Sequence, residues 1–422
     1  MQMKELLLQF IWQHQYFDKS DLLCTNDEHL QIIYPGLWNK DQGPDFLESK
    51  IKHGVTTWAG NIEIHILASD WNKHQHTGNA HYANVILHVV WENDIDLGLP
   101  FPTLELKGSI SKIMLERYEK LMNSAAFIPC GEQINQVSDI VFNHWKERML
   151  IERLMAKVQR FHADIEDAGY DWENGFWQAL AAGFGTSKNT EAFAAIAKSI
   201  PINILAKHTH QPHQIEAMLF GQAGLLESDF TEQYPQMLKK EYLFLKQKYN
   251  FQQINIPLQF LRMRPANFPG IRLAQLATLL HDRTHLFAAV KAAEDINDVH
   301  LLLEASANDY WLYHYVFDRE TEYREKRLGK QMINVIIINA IIPFMHVYAT
   351  YHKDKILQTK MMDWLQNMAA EKNNITIGFE QLGVNNASAW DSQALLHLKK
   401  NYCDLKQCLS CAVGVSLLRK TD

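Results

Sequence analysis

In Ile62-Glu63-Ile64-His65-Ile66, apolar and polar residues alternate without exception. Successive side chains of a strand point to opposite faces, so the isoleucines take one face while Glu63 and His65 share the other. One face anchors in a core; the polar pair is expected to face a cleft. An earlier β-like run, Phe46–Ile51, opens at Asp45 of Gly43-Pro44-Asp45-Phe46, and His53-Gly54 separates it from the Glu63 strand. A hairpin at that glycine would set Asp45 beside Glu63, close enough to share a divalent cation. Two oxygen ligands and a nearby nitrogen suit Mg²⁺ or Mn²⁺ and phosphodiester hydrolysis. The bland alternative is a common Gly-Pro-Asp turn and a solvent-facing glutamate.

The rest of the chain sorts by hydrophobic period. Leu6–Tyr16 has helical spacing, and Leu30–Tyr34, Phe46–Ile51, Val55–Leu67 and Val85–Trp91 read as strands. Val85–Trp91 is apolar on both faces, as a central strand should be. After Ser111 the pattern turns helical. Ser138 can cap a long helix over Asp139–Asp167. Further helices are expected near Gly175–Ala182, Thr190–Lys198, Pro212–Phe220, Gln233–Lys248, Ile271–His281, Gln331–His352, Lys355–Glu371, Ser392–Lys399 and the last fifteen residues. The expected class is α+β, a small α/β module over 1–110 followed by a large all-α domain over 111–422.

With 422 residues and a net charge of −7, the chain has a large core and no overall basic field, so any nucleic-acid binding rests on local patches. The N-terminus lacks the charge and small-residue site of a secretory signal. Met332–Ala349 approaches membrane-spanning length but carries Asn334, Asn339, Pro343 and His346, which favours a buried core helix kinked at Pro343. Five cysteines, three crowded near the C-terminus, do not form a secreted disulfide framework. A cytoplasmic compartment and no membrane partner are expected.

The order helix, hairpin with Pro44-Asp45, strand with Glu63-Ile64-His65, helix, strand resembles the PD-(D/E)XK nuclease superfamily over about the first 90 residues. That resemblance implies a restriction-endonuclease-like module. Asp45 and Glu63 would be its metal ligands, and Glu5 on the opening helix an additional acidic one. His65 stands where the superfamily has lysine; it lacks lysine's permanent charge at neutral pH, and Lys73 would supply a displaced amine. The whole chain also resembles an uncharacterised bacterial domain-of-unknown-function family. The blocks that carry this are Gly43–Phe46, Gly60–His65, Ser69–His76, Val85–Val90, Arg264–Ala277 and Tyr402–Cys411.

Three further groups are candidates. His74 and His76 can stand over the same cleft as metal ligands or phosphate donors, and imidazole ligands shift the preferred metal toward Zn²⁺ or Mn²⁺. His88 reads as a hydrogen-bonded core histidine. Cys403, Cys408 and Cys411 have spacing suited to zinc or an iron–sulfur cluster, provided the chain turns near Leu405; Cys130 is the best fourth ligand and Cys24 the next. The alternative is buried free thiols. The resemblance adds that some nucleases of the superfamily hold a four-iron cluster with one distant cysteine and a C-terminal trio. Arg262, Arg264 and Arg272 can grip phosphates, or brace a loop through ion pairs. The run from Arg319 to Lys330, interleaved with glutamates, reads as a solvated helix face. Gly183–Asn189 lacks the spacing of a phosphate loop and reads as a helix–helix connection.

The expected function is a divalent-metal-dependent nuclease-like hydrolase. Its alternatives are a non-catalytic nucleic-acid-binding or assembly protein on a degenerate nuclease fold, and a zinc hydrolase built on His65, His74 and His76.

Overall fold

The alternating segment becomes the middle of a six-stranded sheet. In the computed structural model, which describes residues 3–419 except 168, 253 and 255, helix α1 (Glu5–His14) precedes strands β1 (Leu30–Tyr34), β2 (Leu37–Trp38), β3 (Phe46–His53) and β4 (Thr56–Leu67). A short helix α2 (Asp70–Lys73) then leads to β5 (Val85–Glu92) and β6 (Thr103–Glu105). The sheet order is β1-β3-β4-β5-β6, with β2 paired to β3. The β3–β4 pair is antiparallel, while β4–β5 and β5–β6 are parallel. Gly54, at φ +56°, and Val55 form the two-residue loop of the β3–β4 hairpin, as the sequence suggests. Strands β2 and β6 have too few residues to show a period and are not anticipated.

Gly60 sets the β4–β5 approach. A Cβ there would lie 2.5 Å from the Asn84 carbonyl oxygen, a backbone atom that cannot yield cheaply. Only glycine lets β5 begin this close, and the β4–β5 register shifts just beyond it, between Asn61 and Ile62.

The chain divides into two units, Met1–Trp145 with Leu398–Asp422, and Lys146–His397. The first therefore runs past residue 110 and takes back the C-terminal segment. Within it, α3 (Lys112–Asn123) packs against the terminal helix Ala412–Arg419, and Lys406 donates to the Met122 carbonyl. Residues 420–422, at the end of the expected last helix, lie outside the described ones.

The second unit is helical, with Trp172–Phe184 against Thr186–Ser199, Pro212–Gln222 between Gln233–Tyr249 and Pro269–Asp282, and Ile342–Tyr351 against Lys355–Asn367. Gly185 joins the first two helices, as a connection should. The apolar stretch Lys330–Tyr351 is long and apolar enough to cross a membrane by length and composition, and 67% of its most apolar window is buried inside the protein. Pro343 has no N–H for the Asn339 carbonyl, and the helix widens into a π-turn over Ile337–Ile341 just ahead of it. The basic run corrects the expectation of a helix face: from Arg319 to Leu328 the chain is irregular. Lys326 is buried, donating to the Leu312 carbonyl with its ammonium 4.2 Å from the Tyr315 ring centre. Local charge alternation cannot foresee a lysine bonded to a distant carbonyl.

A buried carboxyl in this unit makes a pH prediction. Glu216 accepts hydrogen bonds from Tyr234 and Asn308, and burial pushes its pKa up to about 7 from an ordinary 4.5. Between those values the folded chain keeps a proton that the unfolded chain releases. Stability therefore falls as pH rises through that window, by roughly 2–3 kcal/mol. Urea unfolding of Glu216→Gln between pH 4.5 and 8 should show a flatter profile than the parent; parallel profiles would refute the assignment.

Candidate metal centre

The hairpin register pairs Phe46 with Ile62, so Asp45 and Glu63 become neighbours across β3 and β4. The Asp45 amide donates to Glu63 Oε2 at 3.1 Å, and the Ile64 amide donates to Asp45 Oδ2 at 3.0 Å. Asp45 Oδ1 accepts from Gln9 Nε2 at 2.8 Å, and the same amide reaches Glu5 Oε1 at 3.4 Å. Gln9 went unnoticed in the sequence; its one signal is a position one helical turn after Glu5.

Three imidazoles close the other side. His65, His74 and His76 each offer a nitrogen, and these atoms lie within 4.8 Å of one another. His65 Nε2 is 3.1 Å from His74 Nδ1 and 3.5 Å from Glu63 Oε1, while His76 Nε2 is 3.3 Å from that oxygen. A tetrahedral ion with metal–nitrogen bonds of ~2.0–2.1 Å holds its ligand atoms ~3.3 Å apart, which these separations bracket. Neither ring nitrogen of His76 has a hydrogen-bond partner among the described residues, although both are buried. Tyr82 stacks on that ring at 3.8 Å and holds it in place.

His88 is fully buried, as a core histidine on β5, and its Nε2 lies 2.9 Å from His65 Nδ1. A neutral His65 donating from Nδ1 to His88 presents the Nε2 lone pair toward Glu63 and His74. Such outer partners fix the tautomer and ring orientation of metal-binding histidines.

The polar face of β4 is more enclosed than the alternation suggests. Glu63 is 6% and His65 1% exposed, because Gln9 of α1 and the segment carrying His74, His76 and Tyr82 roof it. Glu5 and His74 remain exposed, giving the cluster a solvent side.

Electrostatics in this pocket are one-sided. Burial, then the neighbouring carboxyl of Asp45, raises the Glu63 pKa well above the usual carboxylate range. Burial also raises Asp45, outweighing the Ile64 hydrogen bond that opposes it. His65 is driven far below its ordinary value by burial and by its three histidine neighbours, and burial pushes His76 and His88 down to about 4. Burial thus favours the neutral forms of the Asp45 and Glu63 carboxyls and of the His65, His76 and His88 rings. A dication in their midst would stabilise both carboxylates and engage the free imidazole lone pairs.

Some candidates stand elsewhere. Lys73, exposed just ahead of His74, pairs with Asp70 at 2.6 Å, one helical turn away. Arg272 is buried; it donates to Gln275 and Asn267, bracing the start of its helix instead of presenting a phosphate grip. Arg262 and Arg264 are exposed in the second unit. Cys24 is buried apart from the other cysteines, with Glu28 as its electrostatic neighbour.

No curated protein and no solved structure matches this chain. A family model described as "Protein of unknown function (DUF2851)" matches residues 5–374, which takes in α1, the hairpin, the histidine segment and most of the helical unit. The chain belongs to the DUF2851 family.

Proposed function

We propose that the protein is a divalent-metal-dependent phosphodiester hydrolase of nuclease type. Glu63, Asp45 and the imidazoles of His65, His74 and His76 would hold its metal. The observation that carries this reading is the meeting of two carboxylates and three imidazoles. Residue order and strand directions support a PD-(D/E)XK-like arrangement, with Asp45 at the head of one hairpin strand and Glu63-x-His65 on the other. The nitrogen-rich donor set moves the preferred ion from Mg²⁺ toward Mn²⁺ or Zn²⁺.

When bound, such an ion supplies positive charge to the phosphate and lowers the pKa of water. The protein's own groups do the rest. Gln9 and the Ile64 amide fix the Asp45 carboxylate, His88 fixes His65, and the exposed His74 stands on the solvent side. Nucleic acid is the substrate class this chemistry fits.

The three mutually close imidazoles also support a second reading: a zinc hydrolase in which the carboxylates orient the ligands and the substrate is not nucleic acid. One experiment separates the two. Purified protein is analysed for bound metal, then assayed with Mg²⁺, Mn²⁺ and Zn²⁺ on labelled single- and double-stranded DNA and RNA. Metal-dependent cleavage that falls at least ~10²-fold in Asp45→Ala is expected. Cleavage undiminished in that variant overturns the assignment. Zinc uptake with no cleavage of any nucleic acid favours the second reading.

A further inference from the structure

Outside the histidine centre the first unit holds two other groups. Cys130, Cys403, Cys408 and Cys411 are neighbours, brought together by the turn over 404–406, where the Gln407 amide closes on the Tyr402 carbonyl at 2.9 Å. The second is a cavity of about 260 Å³ at the turn end of the β3–β4 hairpin, with chemically varied walls open to solvent.

Strand pairing builds one wall. Trp58 of β4 lies opposite Ile51, and His53 closes β3 two residues further on. The segment 96–103 supplies the other. Pro100 and Pro102 restrict the backbone on either side of Phe101. The His88 amide donates to the Pro102 carbonyl at 3.0 Å, and the Thr25 amide to the Thr103 carbonyl at 2.9 Å. Both walls are thus tied to the sheet, and the cavity is preformed. Pockets for drug-sized ligands run to ~300–1,000 Å³; this one admits a single ring system.

The lining selects the kind of ring. Trp58 and Phe101 offer aromatic faces, Asn26 and Asn93 carboxamides, and Asp96 a carboxylate. His53 Nε2, 3.1 Å from Glu28 and 3.4 Å from Asn26 Oδ1, anchors the first carboxamide. Asp96 Oδ1 accepts the Gly98 amide at 3.0 Å, which fixes the carboxylate and leaves Oδ2 to accept from an occupant. Trp58 Nε1 has no hydrogen-bond partner among the described residues, so no such bond resists turning of the indole onto a flat ligand. Aromatic faces, carboxamides and a carboxylate acceptor together match a nucleobase, whose plane stacks and whose exocyclic amine donates. An alkylammonium ion would use the rings and the carboxylate but leave the carboxamides idle.

Position ties the cavity to the histidine centre. The Phe101 ring meets Trp71 at 5.5 Å, and Trp71 meets His76 at 5.2 Å. Across the sheet Thr103 pairs with His88, and His88 with Glu63. A strand with its phosphate at that centre can place a nearby base in the cavity.

We propose that this cavity is a subsite for a nucleobase carrying an exocyclic amine (adenine, cytosine or guanine), with Trp58 and Phe101 on its plane and Asp96 on its amine. That the base belongs to a nucleic-acid substrate rests on the hydrolase reading; capture of the base does not.

The test titrates the full chain, in EDTA, with adenosine, guanosine, cytidine and uridine, read by calorimetry. None carries a phosphate, and no metal is present. At least one of the first three should bind saturably, with uridine ~10-fold or more weaker. Trp58→Ala should weaken that binding at least ~5-fold. Asp96→Asn keeps an oxygen for the Gly98 amide but turns the other group into a donor, and should close the gap to uridine. Asp45→Ala should bind nucleosides as the parent does, so loss of cleavage and loss of base capture are separate results. No saturable binding of any nucleoside, uridine bound as well as the others, or parent affinity in Trp58→Ala each overturns the proposal. So does binding of choline in their place. Should Trp58→Ala fail to fold, the Asp96→Asn titration decides.

Discussion

Glu63→Gln is expected to strengthen the metal-free fold while removing its affinity for divalent metal. In the parent protein the Glu63 carboxyl is nearly enclosed, beside the Asp45 carboxyl and two imidazoles that burial keeps neutral. Its pKa is raised above the unfolded value, so near neutral pH folding must either protonate it or bury its charge. A tenfold change in proton affinity corresponds to about 1.4 kcal/mol, so a cost of about 2 kcal/mol is the order to expect. Glutamine keeps an oxygen for the Asp45 amide and offers an N–H to the His76 lone pair, so it meets the same partners without a charge. The metal-free variant should therefore melt a few degrees higher than the parent. With Mn²⁺ or Zn²⁺ the order reverses. The parent gains RT ln(1 + [M]/Kd), and the variant, its affinity lower by ~10²-fold or more, gains little. Thermal melts with and without metal measure both effects. A variant that melts lower without metal, yet shows the parent's full metal-induced shift, would falsify the role given to Glu63.

Asp391→Ala should markedly destabilise the helical unit. Lys146 Nζ donates to Asp391 Oδ1 at 2.6 Å, with the two side chains only 7% and 11% exposed. Asp391 Oδ2 accepts the Ala387 amide at 3.0 Å, joining the helix beginning at Ala389 to the residues ahead of it. Removing one member of a buried pair deprives the other's charge of its counter-ion, which typically costs ~3–5 kcal/mol, far more than a surface pair. Asp391→Asn keeps one acceptor oxygen, enough for Lys146 or the Ala387 amide but not both, and should fall between. The double change Lys146→Met with Asp391→Leu replaces ions by apolar volume and should recover most of the loss. Urea midpoints at unchanged m-value measure this, and being buried, the pair should respond little to salt. A drop below about 1 kcal/mol in Asp391→Ala would place the pair among exposed ones.

The outline of the fold was written in local periods. The isoleucine alternation, the two-residue hairpin at Gly54, the both-faces-apolar β5 and the long helix capped at Ser138 follow from side-chain spacing that any window of the chain displays. So did the neighbourhood of Asp45 and Glu63, because a short hairpin fixes which residues face each other. His88 was legible as a hydrogen-bonded core histidine, but Gln9, the role of Tyr82 and the partner of His88 were invisible, since they depend on which face of β4 is roofed and by what. Arg272 misled for the same reason: a guanidinium in a Pro/Gly-rich loop looks alike whether it meets solvent or the side chains of Gln275 and Asn267.

Residue order was enough for the elements and the two-acid hairpin, because those rest on contacts between near neighbours along the chain. Three-dimensional packing was needed to bring three imidazoles onto those acids, to return the C-terminal cysteines to Cys130, and to close the first unit with residues from the end of the chain. Such meetings depend on how separate elements bury their apolar faces against each other, and no local period carries that information.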